Sequence, residues 1–249
     1  MAKKKNLSTE DLNELDSWES HSHRTEYKNT IKINEIPIKV KCLNAKQKEL
    51  KKAIEEKEIT ITIGPAGTGK TYLSLITALH LLKTQSQYRK IVLIKSVTTI
   101  PGEELGFLPG TLSEKMEPYM WSYMGNLNKI LGDRHTSKRL MESGIITIEP
   151  IAYVRGNTMD NSIVIIDETQ NIDIHTFKTI ITRIGKNSKM IFLGDIEQVD
   201  RKGGKGSCLA KVFEMFKNED FISTVEFINE DCVRNPVIPL ILNVLDKSD

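Results

Sequence analysis

One eight-residue run, GPAGTGKT at 64–71, constrains this chain more than any other feature. It matches the G-x-x-x-x-G-K-[ST] pattern of a phosphate-binding loop, and it lies between an apolar stretch typical of a strand, 59–63, and a helical pattern, 71–84. Glycines let such a loop turn its backbone N–H groups towards phosphates, at the positive end of the following helix. The run therefore predicts a nucleoside triphosphate site in a strand–loop–helix unit.

The residue types in this loop indicate specific roles. Lys70 is expected to reach the β- and γ-phosphates, and the Thr71 hydroxyl is expected to ligate Mg²⁺. ATP and Mg²⁺ are accordingly the predicted cofactors. The candidate nucleotide-binding residues of this run are Gly64, Pro65, Ala66, Gly67, Thr68, Gly69, Lys70, Thr71 and Tyr72.

An acid pair follows a second apolar stretch, in the run IVIIDETQ at 163–170. A carboxylate at the end of a buried strand is held rigidly, so Asp167 is expected to bind Mg²⁺ opposite Thr71. Glu168 is then placed to act as the general base towards the water that attacks the γ-phosphate. Gln170 and Asn171 come next, and their positions fit coupling to a substrate, helix capping or simple exposure equally well.

Two further glutamines are candidates. Gln198 follows the apolar run 190–195, and its neutral amide is suited to orienting the attacking water. Gln47 precedes the phosphate loop by seventeen residues. Its amide can exchange two hydrogen bonds with the edge of adenine, which would select ATP over GTP.

Composition limits the classes of protein that this chain can belong to. A chain of 249 residues accommodates one large α/β domain, and its net charge of +2 provides no global positive field for nucleic acid. The three cysteines are widely spaced and lack metal-ligand spacing, which indicates reduced core thiols. There is no signal-peptide pattern and no apolar run of about 20 residues. We therefore expect a soluble, cytoplasmic protein without membrane contact.

The amino-terminal region differs in composition from the rest. Residues 1–30 mix charges with few large apolar side chains, which predicts a mobile arm containing a short helix near 9–19. Residues 31–249 are predicted to form a single domain. Within it, 31–41 alternates in a way that suits one or two short strands broken at Pro37, and Asn44 is placed to cap a helix over 45–56.

Apolar strand patterns alternate with amphipathic helix patterns along the rest of the chain. This alternation predicts an α/β fold of the P-loop NTPase (RecA-like) type, with a mainly parallel sheet covered by helices on both faces. The carboxyl ends of the strands would bring the phosphate loop, Asp167 and Asp195 to one cleft. The predicted strands are 59–63, 91–96, 145–151, 163–167, 190–195 and 223–228, and the predicted helices are 71–84, about 113–131, 175–184, 206–218 and 236–246.

With these motifs in order, the chain resembles the PhoH family of phosphate-starvation-inducible-type proteins, whose core is similar to the first motor domain of superfamily 1 helicases. The resemblance covers about 43–245. It is carried by GPAGTGKT, ELGFLPGTLSEKMEPY (104–119), AYVRGNTMDNSIVIIDETQN (152–171), TRIGKNSKMIFLGDIEQVD (182–200) and DCVRNPVI (231–238). The chain departs from the usual family pattern at Lys95 and Ser96, where an Arg-Pro pair is common, and at Thr169, where alanine is common. It looks like the short, stand-alone form often encoded by bacteriophages, without an appended RNA-binding or nuclease domain.

The resemblance implies roles for individual residues. It assigns ATP binding and hydrolysis to 64–71, Asp167, Glu168 and Gln198, and adenine contact to Gln47. Arg155 lies in the family's YVRG run. Arg234 resembles the superfamily 1 arginine that meets the γ-phosphate.

A single motor domain lacks the second wall of the cleft in which superfamily 1 motors work. Because an arginine that stabilises the transferred phosphoryl group contributes about 10³–10⁵ in rate, we expect a neighbouring subunit to supply one. A homo-oligomeric ring follows, and the family suggests a hexamer. Arg155, Arg183 and Arg234 are the candidates; ordinary salt bridges or solvated side chains remain alternatives, and Arg234 can also act within its own subunit.

Three classes of function are open. The leading one is an ATPase that acts as a motor on RNA or single-stranded DNA, with aromatic residues of the long connection stacking on bases: Phe107, Tyr119, Trp121 and Tyr123. The same residues fit packing against a neighbouring subunit equally well. The second is an ATP-regulated ring that serves as a binding scaffold, hydrolysing slowly without unwinding. A small-molecule kinase is disfavoured, because DETQ and GDIEQ suit hydrolysis by water.

Overall fold

The computed structural model describes residues 33–96, 112–154, 156–196, 198, 208–235, 237 and 241, with the backbone alone for 112–120, 152 and 153. The predicted arm, the predicted helix near 9–19 and most of the predicted helix 236–246 lie outside the described residues. The predicted division between 1–30 and 31–249 therefore stays a prediction.

Six parallel strands form one sheet in the described residues. The strands are β1 (Ile59–Ile63), β2 (Lys90–Lys95), β3 (Ile146–Pro150), β4 (Ser162–Asp167), β5 (Lys189–Gly194) and β6 (Ile222–Glu226). Their order across the sheet is β3-β2-β4-β5-β1-β6. The chain moves towards one edge from β1 to β3 and towards the other edge from β3 to β6. Because crossovers between parallel strands are right-handed, this reversal puts the two sets of connections on opposite faces.

Six α-helices accompany the sheet in the described part of the chain. They are α1 (Ala45–Glu56), α2 (Lys70–Thr84), α3 (Leu112–Leu131), α4 (Arg134–Glu142), α5 (Ile174–Ile181) and α6 (Cys208–Phe216). Three of them have an N-cap residue whose side chain accepts a hydrogen bond from a backbone N–H of the first turn. These residues are Asn44 for α1, Asp133 for α4 and Asp173 for α5. Asn44 therefore has the capping role predicted for it.

The four inner strands, β1, β2, β4 and β5, are buried on both faces, as expected of a parallel sheet covered by helices, while the edge strands β3 and β6 are partly exposed. Alternate side chains such as Ile61, Val164 and Phe192 pack against α5 and α6, where the rings of Phe177 and Phe192 lie 4.7 Å apart. The opposite face meets α2, which contacts β2, β4 and β5. The packing holds the carboxyl ends of the strands at one edge of the sheet, where the site forms.

The strand order determines which strand ends are neighbours. β5 lies between β1 and β4, so the residues after β5 separate the phosphate loop after β1 from Asp167 at the end of β4. Backbone hydrogen bonds continue the pairing past the strands: the N–H of Gly64 donates to the carbonyl of Gly194, and that of Ser96 to the carbonyl of Asp167. The ends of neighbouring strands, β1 with β5 and β2 with β4, are thereby hydrogen-bonded to each other at this edge.

The predicted parallel α/β architecture is confirmed, and each of the six predicted strands is present within one residue or two of its predicted bounds. The predicted strands in 31–41 are wrong. Residues Ile33–Glu35 form a short 3-10 helix, and 36–41 join no strand of the sheet. Pro37 has no N–H to give to a ladder, and Lys83 of α2 instead donates to the carbonyl of Ile36 at 2.6 Å. No helix in the described segments is both long and apolar enough to span a bilayer.

Candidate functional site

The phosphate loop turns in conformations that only glycine adopts readily. Gly64 has φ +140° and Gly67 has φ +85°. A Cβ at Gly64 would lie 2.5 Å from the carbonyl oxygen of Phe227, and one at Gly67 would lie 2.9 Å from the sulfur of Cys232. The loop is therefore pressed against the segment that follows β6. A side chain at Gly64 would require backbone to move, and one at Gly67 would meet the side chains of Cys232 and Arg234.

We expect Gly64→Ala to lower the free energy of unfolding by about 2 kcal/mol or more, because the contact with Phe227 involves backbone and the φ value disfavours a side chain. Urea unfolding followed by circular dichroism measures the effect. Gly125→Ala is the matched control: a Cβ there meets nothing within 4 Å, and Gly125 lies inside α3. Helix propensity then raises stability by up to about 1 kcal/mol. Equal stability of the two variants would contradict the prediction.

Two segments distant in sequence hold the loop. After β6, the N–H of Val233 donates to the carbonyl of Gly67 at 3.0 Å. From α1, Gln47 donates to the carbonyl of Thr68 at 3.0 Å, while its Oε1 accepts from the N–H of Leu43 at 2.8 Å. The amide of Gln47 is thus a brace for the loop, and each of its two groups retains one further hydrogen-bonding position. Its contact with adenine stays a prediction.

Lys70, in the first turn of α2, folds back over the loop. Its Nζ donates to the carbonyls of Gly64 at 2.6 Å and Pro65 at 2.8 Å, with Thr68 Oγ1 at 3.4 Å. Desolvation by burial lowers the pKa of Lys70, and the carboxylates of Asp195, Asp167 and Glu168 act in the opposite direction. The ammonium group therefore stands between the loop and three acidic side chains.

The two predicted magnesium ligands are in contact. Thr71 Oγ1 donates to Asp167 Oδ2 at 3.1 Å, across a sequence separation of 96 residues. Burial raises the pKa of Asp167, and the neighbouring charge of Glu168 adds to this; the N–H of Glu168, Lys95 and Thr71 oppose it. A hydroxyl and a carboxylate converge here as hard oxygen donors.

Glu168 has a left-handed backbone, with φ +56°, which is uncommon for a residue other than glycine. Its Oε2 accepts from Gln170 Nε2 at 2.8 Å, and its Oε1 lies 3.8 Å from Lys95 Nζ. Both carboxylate oxygens therefore have a partner. The strained turn directs the side chain to the rim beside Asp167, where a general base would be needed.

Gln170 has a definite position that sequence reasoning left undecided. It is only 1 % exposed, and its Oε1 accepts from the N–H of Asp195 at 3.1 Å while its Nε2 donates to Glu168. The amide thus joins the acid pair after β4 to the residue that follows β5. Asn171 is buried as well, and its N–H donates to the carbonyl of Glu168.

These residues surround one cavity of about 820 Å³. Its lining extends from Leu43 and Val233 at one end, past the loop, to Ser122 and Lys129 of α3 at the other. Among the predicted site residues, those that line it are Gln47, Ala66, Gly67, Gly69, Lys70, Thr71, Tyr72, Asp167, Glu168, Gln198 and Arg234. Gly64, Pro65 and Thr68 do not line it; their oxygens accept from Lys70 beneath the surface.

Arg234 and Arg183 have different locations. Arg234 is exposed and lines the cavity of its own chain beside Gly67. Arg183 follows α5 and its carbonyl accepts from the N–H of Met159, which precedes β4, so it lies at the amino edge of the sheet, opposite the site. Arg155 lies outside the described residues.

The aromatic residues predicted to stack on bases differ in exposure. Trp121 is 70 % exposed on α3. Tyr123 is 1 % exposed and its hydroxyl donates to the carbonyl of Ile94, so stacking by this residue is excluded. Phe107 and the side chain of Tyr119 lie outside the described residues.

The described residues contain neither a disulfide nor a cluster of three His, Cys, Asp or Glu side chains. Cys42, Cys208 and Cys232 form no disulfide; Cys208 is buried in the core as predicted, whereas Cys42 and Cys232 are only partly buried. In the described ranges no three His, Cys, Asp or Glu side chains form a metal-binding group. The metal ligands predicted here are of a different kind, one hydroxyl and one carboxylate.

A glycine-rich loop that joins a parallel strand to a helix, with a lysine and an acid pair at the same rim, defines a P-loop protein of the nucleotide-binding class. A sequence model described as "PhoH-like protein" matches residues 39–246. The chain belongs to the PhoH-like protein family.

Individual relatives agree with this assignment. The chain is similar to the PhoH-like protein of Bacillus subtilis (strain 168), with 41% identity over 95% of this chain and 72% of that protein. It is similar to Protein PhoH of Escherichia coli (strain K12), with 37% identity over 77% of this chain and 54% of that protein. Among solved structures, the large terminase of a thermophilic bacteriophage has a TM-score of 0.45 at 12% identity, covering 78% of this chain and 47% of that one. The terminase likeness is too distant to bear on function.

Proposed function

We propose that this protein is a magnesium-dependent ATPase, and that it works as a homo-oligomeric ring on RNA or single-stranded DNA. The observation that carries the ATPase proposal is the contact of Thr71 with Asp167 at 3.1 Å, at the mouth of the phosphate loop and with Glu168 adjacent. The remaining parts of the proposal depend on this one.

The described residues fit a bound triphosphate. The cavity, about 820 Å³, has the size of sites for small molecules and cofactors. Three positive-φ glycines, Gly64, Gly67 and Gly69, give the loop its tight turns, and the Lys70 ammonium group lies over the loop's own carbonyls. Lys70 is proposed to exchange these carbonyls for the β- and γ-phosphate oxygens.

The donor set also fits Mg²⁺, which prefers oxygen ligands and is bound through one or two carboxylates together with substrate phosphates. Thr71 and Asp167 would hold the ion. When bound, the ion neutralises negative charge on the phosphates and orients them. The chain's contribution is to keep the hydroxyl and the carboxylate at one point.

Glu168 is proposed to accept the proton of the attacking water, and Gln198 to orient that water. Glu168 lies next to Asp167 at the rim, and Gln198 lines the same cavity from the segment after β5. Arg234 lines this cavity too, so we propose that it meets the γ-phosphate within its own subunit. Arg155 and Arg183 remain the candidates for an arginine given to a neighbouring subunit.

The polynucleotide, the ring and the location in the cytoplasm are the finer parts of the proposal. The exposed Trp121 supports base stacking. Three cysteines without a disulfide are consistent with a reducing compartment. The hexamer rests on the family resemblance and on the arginine argument given above.

Phosphate release measured with and without single-stranded RNA or DNA, together with light scattering in the same buffer, tests this proposal. We expect turnover that requires Mg²⁺, increases with a polynucleotide and belongs to a particle larger than a monomer. Slow turnover that no polynucleotide changes would favour the scaffold function instead. A protein that binds no ATP at millimolar concentration would overturn the proposal, and a fully active monomer would overturn the ring.

A further inference from the structure

Lys95, the last residue of β2, lies between the acid pair and helix α3. Its Nζ is 3.8 Å from Glu168 Oε1 and 3.4 Å from the hydroxyl of Ser122. The strand register places Lys95 directly beside Asp167 on the neighbouring strand. One flexible cation therefore contacts both the proposed general base and a helix outside the sheet.

The ion pair between Lys95 and Glu168 is weak enough for another anion to replace Glu168 as the partner of Lys95. The distance of 3.8 Å is long for an ion pair, and the two side chains are 22% and 37% exposed. Exposed ion pairs of this geometry are weak. By contrast, the other carboxylate oxygen of Glu168 accepts a short hydrogen bond from the buried Gln170, at 2.8 Å. A competing anion would therefore remove Lys95 from Glu168 and leave Gln170 in place.

Helix α3 presents a face that suits such an anion. Ser122, Gly125, Asn126 and Lys129 are spaced at three or four residues, and they line the same cavity as Glu168. No acidic residue occurs in 121–131, and the backbone at Gly125 is open to approach. Trp121 stands exposed on the same helix. Basic, amide and aromatic groups beside an open backbone are the elements with which proteins bind single strands.

We propose that Lys95 is a positioning residue that switches between Glu168 and the phosphodiester backbone of a single-stranded nucleic acid lying on this face of α3. Paired with Glu168, Lys95 occupies one carboxylate oxygen, Oε1, and hydrolysis is slow. Drawn to a phosphodiester, it frees Oε1 to accept the proton of the attacking water, while Gln170 still holds Oε2. This inference rests on the proposed ATPase function, and it adds the means by which the polynucleotide controls that site.

The test compares ATP turnover of the wild-type protein, Lys95→Met and Lys95→Arg, with and without poly(U) RNA. We expect Lys95→Met to raise kcat without RNA about two- to five-fold, the range for loss of a weak ion pair, with KM unchanged. RNA should no longer change its turnover. Lys95→Arg keeps the charge and should keep the response to RNA. Lys129→Met is expected to raise the RNA concentration needed for half-maximal stimulation.

Lys52→Met is the matched control. Lys52 pairs with Glu56 at 3.9 Å on the exposed side of α1 and does not line the cavity, so its loss should change neither turnover nor response. Lys95→Gln replaces Lys95→Met if the latter loses its cooperative unfolding transition. Wild-type kcat and RNA response in Lys95→Met, a near-complete loss of its turnover with ATP still bound, or a wild-type turnover that ignores RNA would each overturn the switch. Failure of the wild-type protein to bind ATP would refute the proposed function and the switch together, whereas the first two results refute the switch alone.

Discussion

Replacing Glu168 by glutamine is expected to lower the turnover number for ATP about 10²–10⁴-fold, the usual contribution of a positioned general base. The amide cannot accept the proton of the attacking water. It keeps the size of the side chain and can still hydrogen-bond to Gln170, which contacts Glu168 at 2.8 Å. Binding of ATP should therefore persist. Phosphate release gives the turnover, and equilibrium titration with a fluorescent ATP analogue gives the affinity.

Glu142→Gln makes the same chemical change at an exposed site. Glu142 ends α4, pairs with Lys138 at 3.5 Å and does not line the cavity, so both turnover and affinity should equal those of the wild type. Normal turnover in Glu168→Gln would show that the general base is another group. A loss of binding in that variant would show instead that Glu168 helps to hold the nucleotide.

The fold was predictable where burial imposes one strong pattern. Strands β2, β4 and β5 carry apolar residues on both faces, and such runs stand out from the amphipathic helices between them. Helix α4 was missed because its sequence, RHTSKRLME, contains little apolar periodicity and Leu140 is its one fully buried apolar residue. The alternation in 31–41 suggested a strand, but Pro37 and the bond from Lys83 to the carbonyl of Ile36 favour an irregular segment.

The centre of the site was predictable for a topological reason. Residues that follow parallel strands meet at one edge of the sheet, so Thr71 and Asp167 could be brought together from sequence alone, and the structure has them in contact. The supports of the site required the tertiary structure. Gln47 contacts Thr68, and Val233 contacts Gly67, across sequence separations that no local pattern encodes.

The contacts of Gln170 were predictable only in part. An amide two residues after a proposed general base, in a tight turn, is a signal that it contacts that base. Its second hydrogen bond, which it accepts from the N–H of Asp195, requires β4 and β5 to be neighbours in the sheet. The strand order cannot be read from the sequence alone. The position of Lys95 beside Asp167 likewise depends on the pairing of β2 with β4.

Asp167→Asn is expected to weaken magnesium-dependent binding of ATP about 10–100-fold while making the protein without nucleotide more stable by about 1 kcal/mol. The first effect follows from loss of the carboxylate charge opposite Thr71. The second follows from the pKa of Asp167, which burial and Glu168 raise. An acid with a raised pKa in the folded state costs stability where it is ionised, at pH above both values. A neutral amide removes that cost at neutral pH.

The hydrogen bonds of Asp167 can survive this change. Its two oxygens accept from Thr71 Oγ1 and from the N–H of Glu168, each at 3.1 Å. An asparagine oxygen can still accept from that N–H, while its NH₂ donates to the hydroxyl of Thr71. Thermal unfolding without nucleotide should therefore give a higher Tm than the wild type.

Titrations with ATP in Mg²⁺ and in EDTA distinguish weaker binding of the metal ion from weaker binding of the nucleotide itself. The affinity of Asp167→Asn in EDTA should equal that of the wild type, and only the gain on adding Mg²⁺ should shrink. Asp173→Asn is the control, because Asp173 caps α5, asparagine caps helices equally well, and the residue does not line the cavity. If Asp167→Asn keeps the full magnesium-dependent gain in affinity, the ion is held elsewhere, and the contact between Thr71 and Asp167 is a structural one.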